Sequence, residues 1–156
     1  MWYNFNKGVV STMKLDDIRK CVEKDISIDD TQLDIESLKT PQLHNKYLNM
    51  LHDERFELKK MKFDHAKLIR LKWEYYTGKM PEETLRELDW EPFQLKVLKQ
   101  DMDKYLESDD DLILIQHKLT YQQEKVSYLE SIVKTISQRN WEIRNAIEWR
   151  KFINGV

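Results

Sequence analysis

Residues 111–136 read DLILIQHKLTYQQEKVSYLESIVKTI, and their spacing decides the fold. Leu112, Ile115, Leu119, Gln122, Val126, Leu129, Val133 and Ile136 recur at alternating steps of three and four. That is the ~3.5-residue period of a helix laid along other helices. Past Asn140 the same register collects Ile143 and Ile147, while Ser137-Gln138-Arg139-Asn140 reads as a break before a terminal stretch ending at Gly155. Just upstream, Ser108-Asp109-Asp110-Asp111 places acids at the positive end of the helix dipole, which is a helix start. Such a seam is satisfied either by packing within the chain or by self-association, and periodicity leaves both open. A seam of about four heptads in so short a chain favours self-association more than an ordinary amphipathic helix does.

Working outward, Leu15, Ile18, Cys21 and Val22 have helical spacing and predict a first helix ending near Lys24. Asp29 or Asp30 supplies an N-cap for a second helix starting near Thr31. Pro41 removes a backbone donor and predicts a break or kink, with Thr40 as a fresh cap. Residues 41–77 then read as one long helix stopped at Thr77-Gly78. Pro81, Pro92 and a run of acids make 79–92 an acidic linker with at most one short helix, around Glu82–Leu88. A helix from about Phe93 to Glu107 follows, on Leu95, Leu98, Met102 and Tyr105. The expected organisation is a flexible extension (1–12), a helical region that binds a ligand (13–78), the acidic linker (79–92) and a helical oligomerisation region (93–156).

Composition narrows the class. The 156 residues include only 3 glycines and 3 prolines, so the tight turns of a sheet-rich fold and a glycine-rich phosphate loop are both disfavoured. The fold class is all-α, with long helices forming a bundle or coiled-coil-like protomer. A lone cysteine, Cys21, forms no internal disulfide and fits a reducing compartment. No apolar run reaches the ~18–20 residues of a membrane span, and no signal peptide is visible, so a soluble intracellular protein is expected. His44, His52, His65 and His117 lack metal-ligand spacing, and no nucleophile elbow or nucleotide fingerprint occurs. An enzyme, a metal site and a cofactor are therefore not expected.

The net charge of −2 conceals a segregation. Residues 55–79 carry eight basic side chains against three acids, a window of +5 set against −7 in the remainder. At 100° per residue, Phe56, Lys59, Lys60, Phe63, Lys67 and Arg70 fall within roughly one third of a helix circumference. Leu51, Leu58, Met61, His65, Leu68, Ile69 and Tyr76 lie opposite, with Lys62 and Lys72 nearer that apolar side. Trp73, Tyr75 and Tyr76 cluster at the end. Cations set phosphates in register, and aromatic faces accept unstacked bases, a combination suited to single strands. The candidate DNA-binding residues are Lys59, Lys60, Lys62, Phe63, Lys67, Arg70, Lys72, Trp73, Tyr75 and Tyr76.

The block Arg70-Leu71-Lys72-Trp73-Glu74-Tyr75-Tyr76-Thr77-Gly78 resembles the UvsY recombination mediators of T-even-type bacteriophages. So do Leu15-Asp16-Asp17-Ile18 with Lys24-Asp25-Ile26-Ser27-Ile28-Asp29, and Ile136-Ser137-Gln138-Arg139 with Ile143, Ile147, Arg150, Phe152 and Gly155. The resemblance covers about 13–155; residues 1–12 have no counterpart, and 79–93 differ in length and are more acidic. It implies a non-enzymatic accessory protein in the cytoplasm of the infected host. Such proteins bind single-stranded DNA and contact a UvsX-type phage recombinase and the phage single-strand-binding protein. They thereby load the recombinase in recombination, recombination-dependent replication and repair. It also implies a hexameric or heptameric ring joined through carboxy-terminal helices, for which Leu112, Ile115, Leu119, Val126, Leu129, Val133, Ile136, Ile143 and Ile147 are the candidate contacts. The family's basic-x-basic DNA pair matches Arg70 and Lys72. The competing reading is a helical scaffold that binds only protein.

Overall fold

The structure is a computed structural model, and it describes residues 13–95 and 97–155. The expected extension 1–12 lies outside them. The elements are α1 (Leu15–Ile26), α2 (Leu33–Tyr76), α3 (Glu82–Leu88), a turn of 3-10 helix (Lys99–Asp101), α4 (Met102–Glu107) and α5 (Asp110–Asn154). All regular structure among the described residues is helical. The all-α expectation holds.

The stops and starts follow local chemistry. At the end of α2, Gly78 takes φ +67. Its N–H donates to Tyr75 O at 3.1 Å, and Lys79 N–H donates to Glu74 O at 2.9 Å. Together they satisfy the last carbonyls in a Schellman motif. Asp89, at φ 56, closes α3 the same way, with Trp90 N–H donating to Leu85 O at 2.9 Å. Asp109 caps α5, its Oδ1 accepting from Asp111 N–H at 3.0 Å and Leu112 N–H at 3.1 Å. Before α2, Asp29 Oδ1 accepts from Thr31 N–H at 2.9 Å in a turn that precedes the helix.

Three expectations are corrected. Pro41 neither breaks nor ends α2, which runs from Leu33 to Tyr76 with the proline inside it. Ser137–Asn140 does not interrupt α5, because Ile136, Arg139 and Ile143 keep the buried face continuous. The helix expected from Phe93 forms only from Met102, after the 3-10 turn. Its first half is held instead by tertiary contacts, with Val97 N–H donating to Tyr76 O at 3.3 Å.

The chain divides into two compact units. Among the described residues one contains 57–95 with 97–122 and the other 13–56 with 123–155. In the second unit, α1 packs Leu15, Ile18 and Val22 inward, and Tyr47, Leu51, Val126, Leu129, Ile132, Ile136 and Ile143 complete the core. Segments of α2 and α5 run antiparallel there, registered by charges inside the seam. Lys125 Nζ meets Glu54 Oε2 at 2.8 Å, and Arg139 pairs with Glu36 while donating to Ile26 O at 3.1 Å. Removing one member of a buried pair strands the other, at a cost of about 3–5 kcal/mol.

The seam residues of α5 are placed in the chain's own packing. Leu112, Leu119, Val126, Leu129, Ile136 and Ile143 are buried within their units, and Ile115, Val133 and Ile147 are half-buried. Gln122 is buried too. Large apolar side chains left bare on α5 are others, among them Trp141, Trp149, Phe152 and Ile153. Leu129 is 0% exposed, so Leu129→Ala is expected to lower the unfolding free energy by about 2–5 kcal/mol, read from urea unfolding by circular dichroism.

Candidate nucleic-acid interface

Most of the basic window, residues 57–76, lies on α2 within the 57–122 unit, where a continuous helix fixes which side chains share a face. Lys59, Lys62, Phe63, Lys67 and Arg70 are exposed and Lys60 is half-buried. Phe63 is 75% exposed, an unusual position for a phenylalanine. Arg70 Nε lies 3.8 Å from Glu74 Oε1 and Lys60 Nζ lies 3.9 Å from Glu57 Oε2. Pairs that long and that wet contribute under about 1 kcal/mol, so a phosphate competes with them easily. Trp73 is partly exposed at the end of the same stretch, with Lys79 Nζ 4.8 Å from its ring centroid.

Three candidate residues are placed elsewhere. Lys72 is buried at 7% exposure. It sits about 180° around α2 from Phe63, nine residues away at 100° each. Its Nζ lies 2.6 Å from Asp111 Oδ2 and 2.9 Å from Asp109 Oδ2, and 4.4 Å from the ring centroid of Trp90. Tyr76 O–H donates to the same Asp109 Oδ2 at 2.7 Å. Tyr75 and Tyr76 are half-buried in an aromatic cluster: Tyr75 is 5.1 Å from Trp90, Tyr76 5.1 Å from Phe93 and 5.5 Å from Tyr105, by ring centroids. Edge-to-face contacts of this kind stabilise beyond simple burial. The cluster ties the segment after α3 to the end of α2 and leaves little ring face for a base.

Burial of Asp109 raises its pKa, but hydrogen bonds from Tyr76, Lys72 and Leu112 N–H outweigh it, and the carboxyl is held below its ordinary 3.8. Burial and the hydrogen bond to Asp109 push the Tyr76 hydroxyl above its ordinary 10.0. These partners are hard to find in sequence, where Asp109 reads only as a cap and Trp90, Phe93 and Tyr105 as scattered aromatics. The one available signal is surplus, since Asp109-Asp110-Asp111 holds more acid than a cap requires. His65, on the apolar side of α2, lines a groove of about 400 Å³ with Ile69, Leu106, Leu112, Ile113 and His117. Among the described residues no group of three or more His, Cys, Asp or Glu is arranged to hold a metal. No helix there is long and apolar enough to cross a membrane.

A sequence profile described as "Recombination, repair and ssDNA binding protein UvsY" matches residues 21–156. The chain belongs to the UvsY family. The recombination protein UvsY of Enterobacteria phage T4 is 23% identical over 144 residues, covering 92% of this chain and 99% of that one. Two crystal structures of the bacteriophage T4 recombination mediator protein UvsY superpose with TM-score 0.78, at 21% and 22% identity. The first covers 90% of this chain and 99% of its own, the second 91% and 98%. At that identity the structures establish the shared all-α fold. Membership makes the chain a recombination and repair accessory protein that binds single-stranded DNA, and a scaffold without DNA binding is not favoured.

The Asp109 network gives a pH dependence of defined sign. Because the folded pKa is depressed, the network's contribution is complete above the ordinary carboxylate value and is lost as pH falls below it. Thermal melts from about pH 5 to about pH 3 are expected to fall less steeply for Asp109→Asn than for the parent. At neutral pH the variant is expected to be less stable by about 1.5–3 kcal/mol, the scale of a hydrogen bond to a charged group.

Proposed function

We propose that single-stranded DNA runs along the α2 face made by Lys59, Lys60, Phe63, Lys67 and Arg70, with Lys62 at its edge and Trp73 at its end. The observation that carries this reading is an exposed phenylalanine flanked on one helix face by exposed cations, in a chain of a single-strand-binding family. The ammonium and guanidinium groups pair with phosphates, and the ring of Phe63 accepts a base that the duplex keeps stacked. Preference for single strands follows from that ring. The protein acts by binding and not by catalysing a reaction.

In the fuller reading, the chain helps load a UvsX-type phage recombinase onto DNA covered by the phage single-strand-binding protein, in the cytoplasm of the infected host. Its resemblance to the phage T4 mediator supports this. A few phosphate contacts give modest affinity per chain. A hexameric or heptameric ring multiplies them without new contacts, provided one strand reaches several copies. The surface proposed for that assembly is Trp141, Trp149 and Phe152, which share a face of α5 opposite the buried Ile143 and the half-buried Ile147. Trp149 and Phe152 are 63% and 76% exposed, with stacked rings at 5.7 Å. Exposed aromatic surface of that kind marks an interaction site.

Arg70→Ala is expected to weaken oligo-dT binding and to lower the slope of log affinity against log salt by about 0.7, the share of one single-strand phosphate contact. Phe63→Ala is expected to weaken binding by about 1–3 kcal/mol with the slope unchanged, as loss of a stacking ring does. Fluorescence anisotropy across a salt series reads both, and an unaltered Arg70→Ala titration would remove the face assignment. Trp149→Asp with Phe152→Asp is expected to reduce the molar mass by light scattering while helicity is kept, and an unchanged mass would move the contact elsewhere.

A further inference from the structure

Arg70 and Lys72 stand two residues apart in the block that resembles the family's DNA-binding pair, yet they lead opposite lives. Arg70 is exposed on the face that carries Phe63. Lys72 is buried behind it, between two carboxylates and the ring of Trp90. We infer that Lys72 is a positioning residue for the single-strand-binding face and makes no phosphate contact: its ammonium joins the last turns of α2 to the first turn of α5 through Asp109 and Asp111.

The geometry carries this in three steps. First, the charge is already matched, by Asp111 Oδ2 at 2.6 Å and Asp109 Oδ2 at 2.9 Å, so reaching a phosphate means leaving a buried carboxylate unpaired. Second, Asp109 is the shared node. Its Oδ2 also accepts from Tyr76 O–H at 2.7 Å, and its Oδ1 caps α5 through the N–H groups of Asp111 and Leu112. Third, the α2 turns fixed by Lys72 and Tyr76 are those that present Arg70 and Trp73. Lys72 therefore sets where those side chains stand without touching what they bind. The inference rests on the DNA-binding face proposed above.

Oligo-dT titrations of the full chain over a salt series, with Arg70→Ala, Lys72→Met and Lys72→Met/Asp109→Asn, test it. Arg70→Ala is expected to lose about 0.7 from the salt slope, as one phosphate contact does. Lys72→Met is expected to bind more weakly with the parent's slope. In the double variant, asparagine keeps the cap and no buried charge is stranded, so binding is expected to recover part of what Lys72→Met loses but not all of it, because the ammonium link is still missing. A lowered slope in Lys72→Met, no recovery in the double variant, or parent-like affinity in Lys72→Met each overturns the inference. Folding of the double variant where Lys72→Met fails to fold supports it.

A second measurement needs no variant: lysine acetylation by an N-hydroxysuccinimide ester, read by peptide mass spectrometry with and without oligo-dT. Lys72 is expected to stay unmodified in both states, and modification of Lys72 in the DNA-free protein overturns the inference. Lys59, Lys60, Lys62 and Lys67 are expected to react when DNA is absent and to be protected when it is bound. Absence of that protection removes the proposed face, whereas the role of Lys72 is decided by its own reactivity.

Discussion

Buried charge between α2 and α5 is the constraint on which the described structure depends. Helices with so many charged residues slide against one another unless something fixes the register, because apolar seams tolerate shifts by a turn. In one unit, Glu54 with Lys125 and Glu36 with Arg139 provide that fix. In the other, Asp109 and Asp111 with Lys72 do the same. A shift of one turn strands several desolvated charges together, which no gain in apolar packing offsets. Apolar side chains of α1, α2 and α5 supply the favourable burial, while the ion pairs hold the register between α2 and α5.

This division of labour explains the two uses of lysine and arginine in one short stretch of α2. Exposed cations keep their field directed at solvent, where a polyanion meets it. The buried Lys72 has exchanged that field for two carboxylates at hydrogen-bonding distance, whereas the pairs of Lys60 and Arg70 are longer and wet. Charge counting cannot separate the two groups: the +5 window includes Lys72, whose charge is matched internally, on the same footing as Arg70. The face proposed for a strand is smaller than the window suggests and sharper in outline, with Phe63 near its middle.

Legibility in sequence follows the range of the interactions. Elements set by neighbours along the chain are readable. Glu82–Leu88 lies between Pro81 and a left-handed Asp89, α2 ends where Gly78 adopts positive φ, and α5 starts at the Asp109 cap. Elements set by distant partners are not. The period of Leu95, Leu98 and Met102 fits a helix, but Phe93 is drawn into the Tyr75–Tyr76 aromatic cluster and Val97 onto the Tyr76 carbonyl, so helix forms only beyond them. The seam of α5 is plain in the sequence, and its partner is ambiguous for a definite reason. A 3.5-residue repeat states that a face is covered and carries no information about which helix covers it.

Pro41 has a consequence for local motion. Proline lacks the N–H that would reach the Ser37 carbonyl, so the α2 ladder has a missing rung in its interior. Contacts to α5 bracket the gap: Glu36 pairs with Arg139, and Thr40 Oγ1–H donates to Asn140 Oδ1 at 2.7 Å. The continuity of α2 there is supported by its neighbour as well as by its own backbone. Amide exchange around residues 36–42 is then more sensitive to the undocking of α5 than exchange elsewhere in α2, since the ladder is weakest at that point.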